Sequence, residues 1–175
     1  MKKIIILLCI LSFPLLITFC SEKESSTKLN NPEGLILLDL SKFGKQFSIF
    51  VPDTTTSKLE IVEQSWGALE IKVGSEFQLS IMEDPGDMEF KKSDIKANDV
   101  NVFKSFVIDE PLTIIWESAI TKPEYHFYSI KKIGADTFVF EDIVSSDGTP
   151  KNKAAIERMV NSVKKIIEKE KINTL

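Results

Sequence analysis

The feature that most restricts the fold of this chain is an alternation of apolar and polar residues in two neighbouring segments, Leu69–Val73 and Phe77–Met82. A period of two places the apolar side chains on one face of a strand and the polar ones on the other. This is typical of an antiparallel sheet with one face towards water. Gly74–Glu76, between the segments, has the length of a hairpin turn. The sequence therefore predicts a half-exposed antiparallel hairpin.

Further segments rich in β-branched and aromatic residues lie on both sides of this hairpin. Turn residues separate them, such as Pro52-Asp53 after one segment and Gly134-Ala135-Asp136 between the last two. We expect about seven to nine antiparallel strands in one sheet. In chain order, the additional segments are Leu35–Leu40, Phe47–Val51, Leu59–Gln64, Phe103–Ile108, Leu112–Ile120, Tyr125–Ile133 and Thr137–Val144.

The C-terminal segment is predicted to be a long amphipathic helix, because its apolar residues recur at helical spacing with Lys, Glu and Asn between them. Thr149 is the expected N-cap, and Pro150 lies in the first turn, where a helix tolerates proline. We expect this helix to lie across the sheet. Its apolar residues are Ile156, Met159, Val160, Val163, Ile166 and Ile167.

A shorter helix is predicted for Met88–Asp99, which follows a Pro-Gly turn and places Phe90 and Ile95 on an imperfect apolar face. An antiparallel sheet packed by this helix and by the C-terminal one is an α+β architecture. The order of elements from Leu35 to Ile167 resembles the Mog1/PsbP-like fold, which also occurs in bacterial lipoproteins. The resemblance implies a binding or assembly role and transfers no functional residue.

The first 19 residues differ from the rest of the chain. Lys2 and Lys3 precede an apolar run, Ile4–Phe19, that contains Pro14. A helix of these 16 residues would be about 24 Å long, shorter than the roughly 30 Å hydrocarbon core of a bilayer. A basic end followed by a short apolar run is typical of a secretory signal peptide, so we expect residues 1–19 to be removed. The alternatives are an uncleaved membrane anchor and a secreted protein cleaved at another position.

The residues that end this run, Ile17-Thr18-Phe19-Cys20 followed by Ser21, resemble the lipobox of bacterial lipoproteins. Ile17 matches the branched aliphatic residue three positions before the cysteine, whereas Phe19 stands where the family usually has Gly, Ala or Ser. The resemblance implies that Cys20 becomes the first mature residue and carries a diacylglyceryl thioether and an N-acyl group, such as palmitate. Several acyl chains hold a protein stably on a membrane. Ser21 after Cys20 resembles the arrangement that permits export to the outer membrane in enteric bacteria, which implies that membrane and leaves open a periplasmic or a surface orientation.

Ser21–Gly34 is polar and has no hydrophobic periodicity. We interpret residues 20–34 as the lipidated cysteine and a flexible tether, and 14 such residues have an r.m.s. reach of roughly 20 Å. An ordered extension packed on the domain is the alternative. Residues 35–175 then form a single globular domain. Because removal of residues 1–19 leaves one cysteine, no disulfide can form within the chain.

The mature chain is acidic. Without residues 1–19 it has 20 basic and 26 acidic residues, a formal charge of −6, and Arg158 is the only arginine. Nucleic-acid binding needs a basic surface with interleaved aromatic residues, and the sequence shows no such pattern. We therefore expect no nucleic-acid partner.

The sequence offers little for catalysis. His126 is the only histidine and lies in a predicted strand, in Tyr125-His126-Phe127-Tyr128, where a packed or hydrogen-bonded imidazole is expected rather than a general base. Sequence motifs for metals, nucleotides and cofactors are absent. The acidic residues around the Pro-Gly turn could hold calcium weakly, although a solvated turn is the simpler interpretation; they are Glu83, Asp84, Asp87 and Glu89. We expect no catalytic residue, no metal and no cofactor.

Aromatic residues give the one positive indication of a binding role. Trp66 at a predicted turn, with Trp116, His126 and Tyr128 on strand faces, could form a recognition patch. We therefore expect a membrane-anchored envelope lipoprotein that is not an enzyme and that binds a protein or a small ligand. The alternatives are an envelope hydrolase that uses His126 or a pair of carboxylates, and a structural lipoprotein without a specific ligand.

Overall fold

The computed structural model describes residues 34–55, 57–145 and 148–169, which belong to one compact unit. The predicted signal peptide, Cys20 and the tether up to residue 33 lie outside the described residues. No helix in the described part of the chain is long and apolar enough to cross a membrane. This part is a single α+β domain, as predicted.

The strands form two antiparallel sheets rather than the single sheet predicted. Three strands have the order β1-β2-β10, and seven have the order β3-β4-β5-β9-β8-β7-β6. The sheets are separate because β2 pairs with β1 on one edge and with β10 on the other, so it has no edge left for β3. The elements are β1 (Leu35–Asp39), β2 (Phe47–Pro52), β3 (Leu59–Glu63), β4 (Leu69–Val73), β5 (Phe77–Glu83), α1 (Met88–Ala97), β6 (Val102–Glu110), β7 (Thr113–Ala119), β8 (Pro123–Ile133), β9 (Asp136–Asp142), α2 (Lys153–Lys164) and β10 (Ile167–Glu168).

The hairpin predicted from the alternation is β4–β5. Val73 pairs with Phe77, and Leu69 pairs with Ile81. The apolar residues of both strands are buried, and the polar residues between them are half-buried. The period-two prediction is therefore confirmed.

One face of the seven-stranded sheet, called the first face here, carries the main core. The helix α2 lies across it in contact with β8, β5 and β9, as predicted, and also contacts β2 of the smaller sheet. Phe47 of β2 meets Phe138 of β9 edge to face, with ring centroids 5.2 Å apart. The two sheets and α2 thus enclose one apolar core.

The helix α2 begins later than predicted. Asn152 is its N-cap, and the Asn152 side chain accepts a hydrogen bond from the Ala155 N–H at 2.9 Å. Thr149 and Pro150 both precede the helix, so their predicted roles as N-cap and first-turn residue are wrong. All three residue types suit a helix start, and only the packed position of the helix selects among them.

The helix α2 also ends earlier than predicted. Lys131 of β8 donates hydrogen bonds from Nζ to the carbonyls of Val163, at 2.9 Å, and Lys164, at 3.1 Å. These bonds satisfy carbonyls that have no partner within the helix. The chain then becomes extended because Ile167 pairs with Ser48 of β2, so Ile167 belongs to a strand and not to the helix.

On the opposite face of the sheet, the second face, α1 packs over strands β6 to β9. Its N-cap is Asp87, whose side chain accepts a hydrogen bond from the Phe90 N–H at 2.9 Å. Met88 and Ile95 are buried because residues seven apart share one side of a helix. Phe90 lies on the other side and is 70% exposed, so its predicted apolar packing is wrong.

Candidate functional site

The candidate site lies on the second face, at the point where β9 stops pairing with β8. The last residue pair of this ladder is Tyr128 with Glu141. Oδ1 of the next residue, Asp142, accepts a hydrogen bond from the Phe127 N–H at 2.9 Å. Its Oδ2 lies 2.9 Å from Nδ1 of His126. One carboxylate thus binds both a backbone donor and the imidazole.

The second ring nitrogen of His126 also has protein partners. Nε2 lies 3.2 Å from Nδ2 of Asn101 and 3.4 Å from Oε1 of Glu124. The imidazole lies beside the Trp116 indole, with ring centroids 5.3 Å apart and planes inclined by 31°. With a proton on Nδ1 for Asp142, a neutral ring accepts from the Asn101 amide at Nε2. A second proton instead lets Nε2 donate to Glu124.

Burial and charge act against each other at His126. Its side chain is 10% exposed, and that of Asp142 is 2% exposed. Burial alone would lower the pKa of His126, but the hydrogen bonds and negative charges of Asp142 and Glu124 outweigh it and raise the pKa above 6.5. The environment therefore favours the protonated imidazole.

His126, Asp142 and Trp116 lie in the wall of a pocket of about 300 Å³ between α1 and strands β7 to β9. Lys91 of α1 forms an ion pair with Glu141 of β9 at 2.9 Å. Its Nζ also lies 6.0 Å from the ring centroid of Trp116 and 5.1 Å from that of Tyr128, within reach of cation–π attraction. The other lining residues are Asp94, Ile95, Asn98, Asn101, Phe127, His126, Asp142 and Val144.

The partners of His126 are two carboxylates and an amide. No serine, threonine or cysteine among the described residues hydrogen-bonds to His126, and both of its nitrogens face other groups. In the same part of the chain, no group of three or more His, Cys, Asp or Glu residues could hold a metal ion. Two buried side-chain atoms of the described residues have no hydrogen-bond partner. They are Oδ1 of Asn101 and Oγ of Ser118.

The structure brings three of the four predicted patch residues together. Trp116 and His126 line the pocket, and Tyr128 packs in the same apolar cluster as Trp116. Trp66 is 65% exposed in the turn between β3 and β4, and β3 is the edge strand of the seven-stranded sheet that lies farthest from β6. The four residues therefore do not form a single patch, and Cys20, the predicted lipid site, lies outside the described residues.

Sequence reasoning missed the residues that hold the histidine. Asp142 and Asn101 contact the imidazole from β9 and from the loop before β6, and Lys91 of α1 lines the same pocket. Nothing in the spacing of these residues along the chain connects them. One local signal existed: Glu141-Asp142 is an acidic pair within the apolar segment predicted as the last strand of the large sheet. A polar pair at the end of such a strand is a candidate for a site.

The acidic turn considered as a calcium site has other partners. Asp84 accepts a hydrogen bond from the Gly86 N–H at 2.7 Å, and Asp87 caps α1. Glu83 lies 3.5 Å from Nζ of Lys45. Because these carboxylates already bind donors of the chain, the contacts favour the turn interpretation over a cation cage.

A second pocket, of about 560 Å³, lies between the β8–β9 turn and the smaller sheet. Its floor includes Phe47 and Phe138, and the charged residues that line it are all exposed. It has the volume of a ligand site but no buried ionisable group. The first pocket therefore has the more specific chemistry.

Comparison with protein-family models, curated proteins and solved structures finds no match for this chain. The function is therefore inferred from the sequence and from the geometry of the site.

Proposed function

We propose that this protein is a lipid-anchored, noncatalytic binding domain of a bacterial cell envelope, and that the pocket beneath α1 is its ligand site. The anchor is supported by the resemblance of Ile17–Cys20 to a lipobox. The site is supported by a concave pocket with an aromatic wall and a few fixed polar groups. The domain itself is proposed to be Mog1/PsbP-like on the order of its elements.

The observation that carries the site is the buried His126–Asp142 pair. Taking an imidazolium and a carboxylate out of water costs several kcal/mol, and apolar residues of similar volume are often as stable or more stable. The second face therefore does not need this pair for packing. Ionisable groups held in a cleft with a shifted pKa are characteristic of functional sites.

The binding proposal can be tested with fractionated small molecules from the bacterial envelope. A ligand that binds the folded state stabilises it by RT ln(1 + c/Kd), where c is the free ligand concentration, so the thermal midpoint of the full-length protein rises with the logarithm of c above Kd. Asp94→Arg introduces a long cation at the pocket, whereas Glu89→Arg makes the same charge change on the exposed side of α1. We expect Asp94→Arg to abolish the stabilisation and Glu89→Arg to retain it; equal responses of the two variants would place the ligand elsewhere.

The anchor has its own test, growth of the source cells on labelled palmitate followed by mass spectrometry of the extracted protein. We expect label on the wild type and on Cys9→Ser, and none on Cys20→Ser. Membrane fractionation of the labelled protein would then show whether it reaches the outer membrane. An unlabelled wild type with residues 1–19 intact would instead support the uncleaved membrane anchor.

An envelope hydrolase is the second candidate, favoured by the 2.9 Å contact between His126 and Asp142. In this mechanism the pair would activate water, because the hydrogen-bond partners of the imidazole among the described residues include no hydroxyl or thiol. Hydrolysis of ester or amide substrates by the wild type, lost in His126→Gln, would establish it. Absence of hydrolysis, of a ligand and of any cross-linked envelope partner would favour a structural lipoprotein.

A further inference from the structure

The exposed side of α2 has a charge opposite to that of the protein. Four basic residues lie on it, and they are named the α2 basic face here. Glu157 is the one acidic residue among them, which gives this side a formal charge of +3 on a mature chain of −6. The α2 basic face consists of Lys153, Arg158, Lys164 and Lys165.

The fold fixes the direction of this face. The opposite side of α2 buries Ile156, Met159, Val160 and Val163 in the core of the first face. Since residues three and four apart share a side of a helix, the basic residues between these apolar positions must point to solvent. The basic face is therefore presented outwards by the same packing that holds the helix.

Two of the four basic residues of this face have no carboxylate partner among the described residues, and the other two have only long, exposed ion pairs. Lys153 lies 3.7 Å from Glu157, and Lys164 lies 3.8 Å from Glu110, both at the long end of ion-pair distances and exposed. In the described part of the chain, no carboxylate lies within 4.0 Å of Arg158 or Lys165. An arginine guanidinium and a lysine ammonium without a carboxylate partner bind phosphate oxygens well.

The chain enters the domain beside this face. Gly34 and Leu35, the first described residues, line the same shallow groove as Arg158 and Lys165. If residues 21–34 are the flexible tether that their composition predicts, their r.m.s. reach is roughly 20 Å. A lipid at Cys20 would thus hold the domain within about this distance of the bilayer, and the chain would enter the domain beside the α2 basic face. Once the face approaches the bilayer, its charges act over a Debye length of about 8 Å.

We infer that the α2 basic face docks on the anionic phospholipid headgroups of the membrane that holds the anchor. This inference rests on the proposed lipidation of Cys20, because the tether is what brings the face to the bilayer. An acidic protein partner is less well supported, since nothing in the position of the groove points to one. Each basic residue that reaches an anionic surface increases the docked population about fivefold.

The test uses the lipidated protein in vesicles of phosphatidylcholine, with or without about one third phosphatidylglycerol, a composition that sets the attraction by surface charge. If Cys9 is removed and Cys20 is acylated, Asn161→Cys supplies the only free thiol, on the exposed side of α2, for a nitroxide label. We expect the label to be shielded from a water-soluble relaxation agent in the anionic vesicles alone. Salt at about 1 M, where the Debye length is about 3 Å, should remove the shielding.

Two double variants distinguish a specific face from general charge attraction. Arg158→Glu with Lys165→Glu should abolish the shielding, whereas Lys104→Glu with Lys122→Glu makes the same charge change elsewhere and should preserve it. The inference would be overturned by equal shielding in neutral vesicles or by an equal loss of shielding in both double variants. Capture of an acidic protein in place of vesicles would also overturn it. An unacylated Cys20 would instead refute the anchor. The unlipidated protein could then still be tested for salt-sensitive binding to the same vesicles.

Discussion

The two faces of the seven-stranded sheet are covered by one helix each, but they are built differently. On the first face, α2 buries Ile156, Met159, Val160 and Val163 against a continuous apolar core. On the second face, α1 buries only two of its residues, and polar groups including His126 and Asp142 lie beside the apolar cluster. Burial of apolar area accounts for the first face. The second face contains groups whose burial costs free energy, and this difference locates the site.

The largest effect is expected on the first face. Val163→Asp places an unpaired carboxylate in the core and should lower the free energy of unfolding by about 3 to 5 kcal/mol. Asn161→Asp introduces the same group on the exposed side of α2 and should change it by less than about 0.5 kcal/mol. Urea denaturation of the full-length protein measures both. If the two variants unfolded at the same urea concentration, α2 would not pack as described.

The next largest loss of stability is expected on the second face. Asp142→Ala leaves the Phe127 N–H and His126 without their acceptor and should cost about 3 kcal/mol. Asp94→Ala removes an exposed carboxylate from the same pocket and should cost almost nothing. Urea denaturation again provides the measurement. A cost for Asp142→Ala as small as that for Asp94→Ala would mean that the buried pair is not formed.

A smaller effect is expected at the N-caps of the two helices. Asp87→Ala in α1 and Asn152→Ala in α2 each remove one capping hydrogen bond, at a cost of about 1 kcal/mol. Because α1 is held by only two buried side chains, its cap variant should speed amide exchange in α1 alone. The α2 variant should speed exchange throughout the core. Identical exchange patterns would contradict the difference between the faces.

The comparison also explains what the sequence could predict. Strands such as β4 and β5 follow from alternation, and the apolar side of α2 from helical spacing, because both periods are local. The pairing of Ile167 with Ser48 joins residues far apart in the chain, so the second sheet was not foreseen. The His126 cluster likewise depends on tertiary register, since Asn101 and Asp142 reach the imidazole from separate elements.

The direction of the pKa shift determines how stability changes with pH. The pKa of His126 in the folded protein lies above 6.5, because Asp142 and Glu124 outweigh burial. A group with a raised folded pKa contributes its full stabilisation below the unfolded pKa of about 6.5 and loses it as pH rises through the folded pKa. The free energy of unfolding should therefore fall as the pH rises from about 6.5 through the folded pKa. His126→Gln should remove this dependence on pH.

The most direct test of the buried pair is an NMR titration of the imidazole, which needs no assignment because the chain has a single histidine. In the full-length protein we expect a pKa above 6.5, with the neutral ring protonated on Nδ1 towards Asp142. Asp142→Asn should lower that pKa, whereas Asp94→Asn should leave it nearly unchanged. An imidazole that titrated at or below 6.5 and was insensitive to Asp142→Asn would contradict the account of the second face.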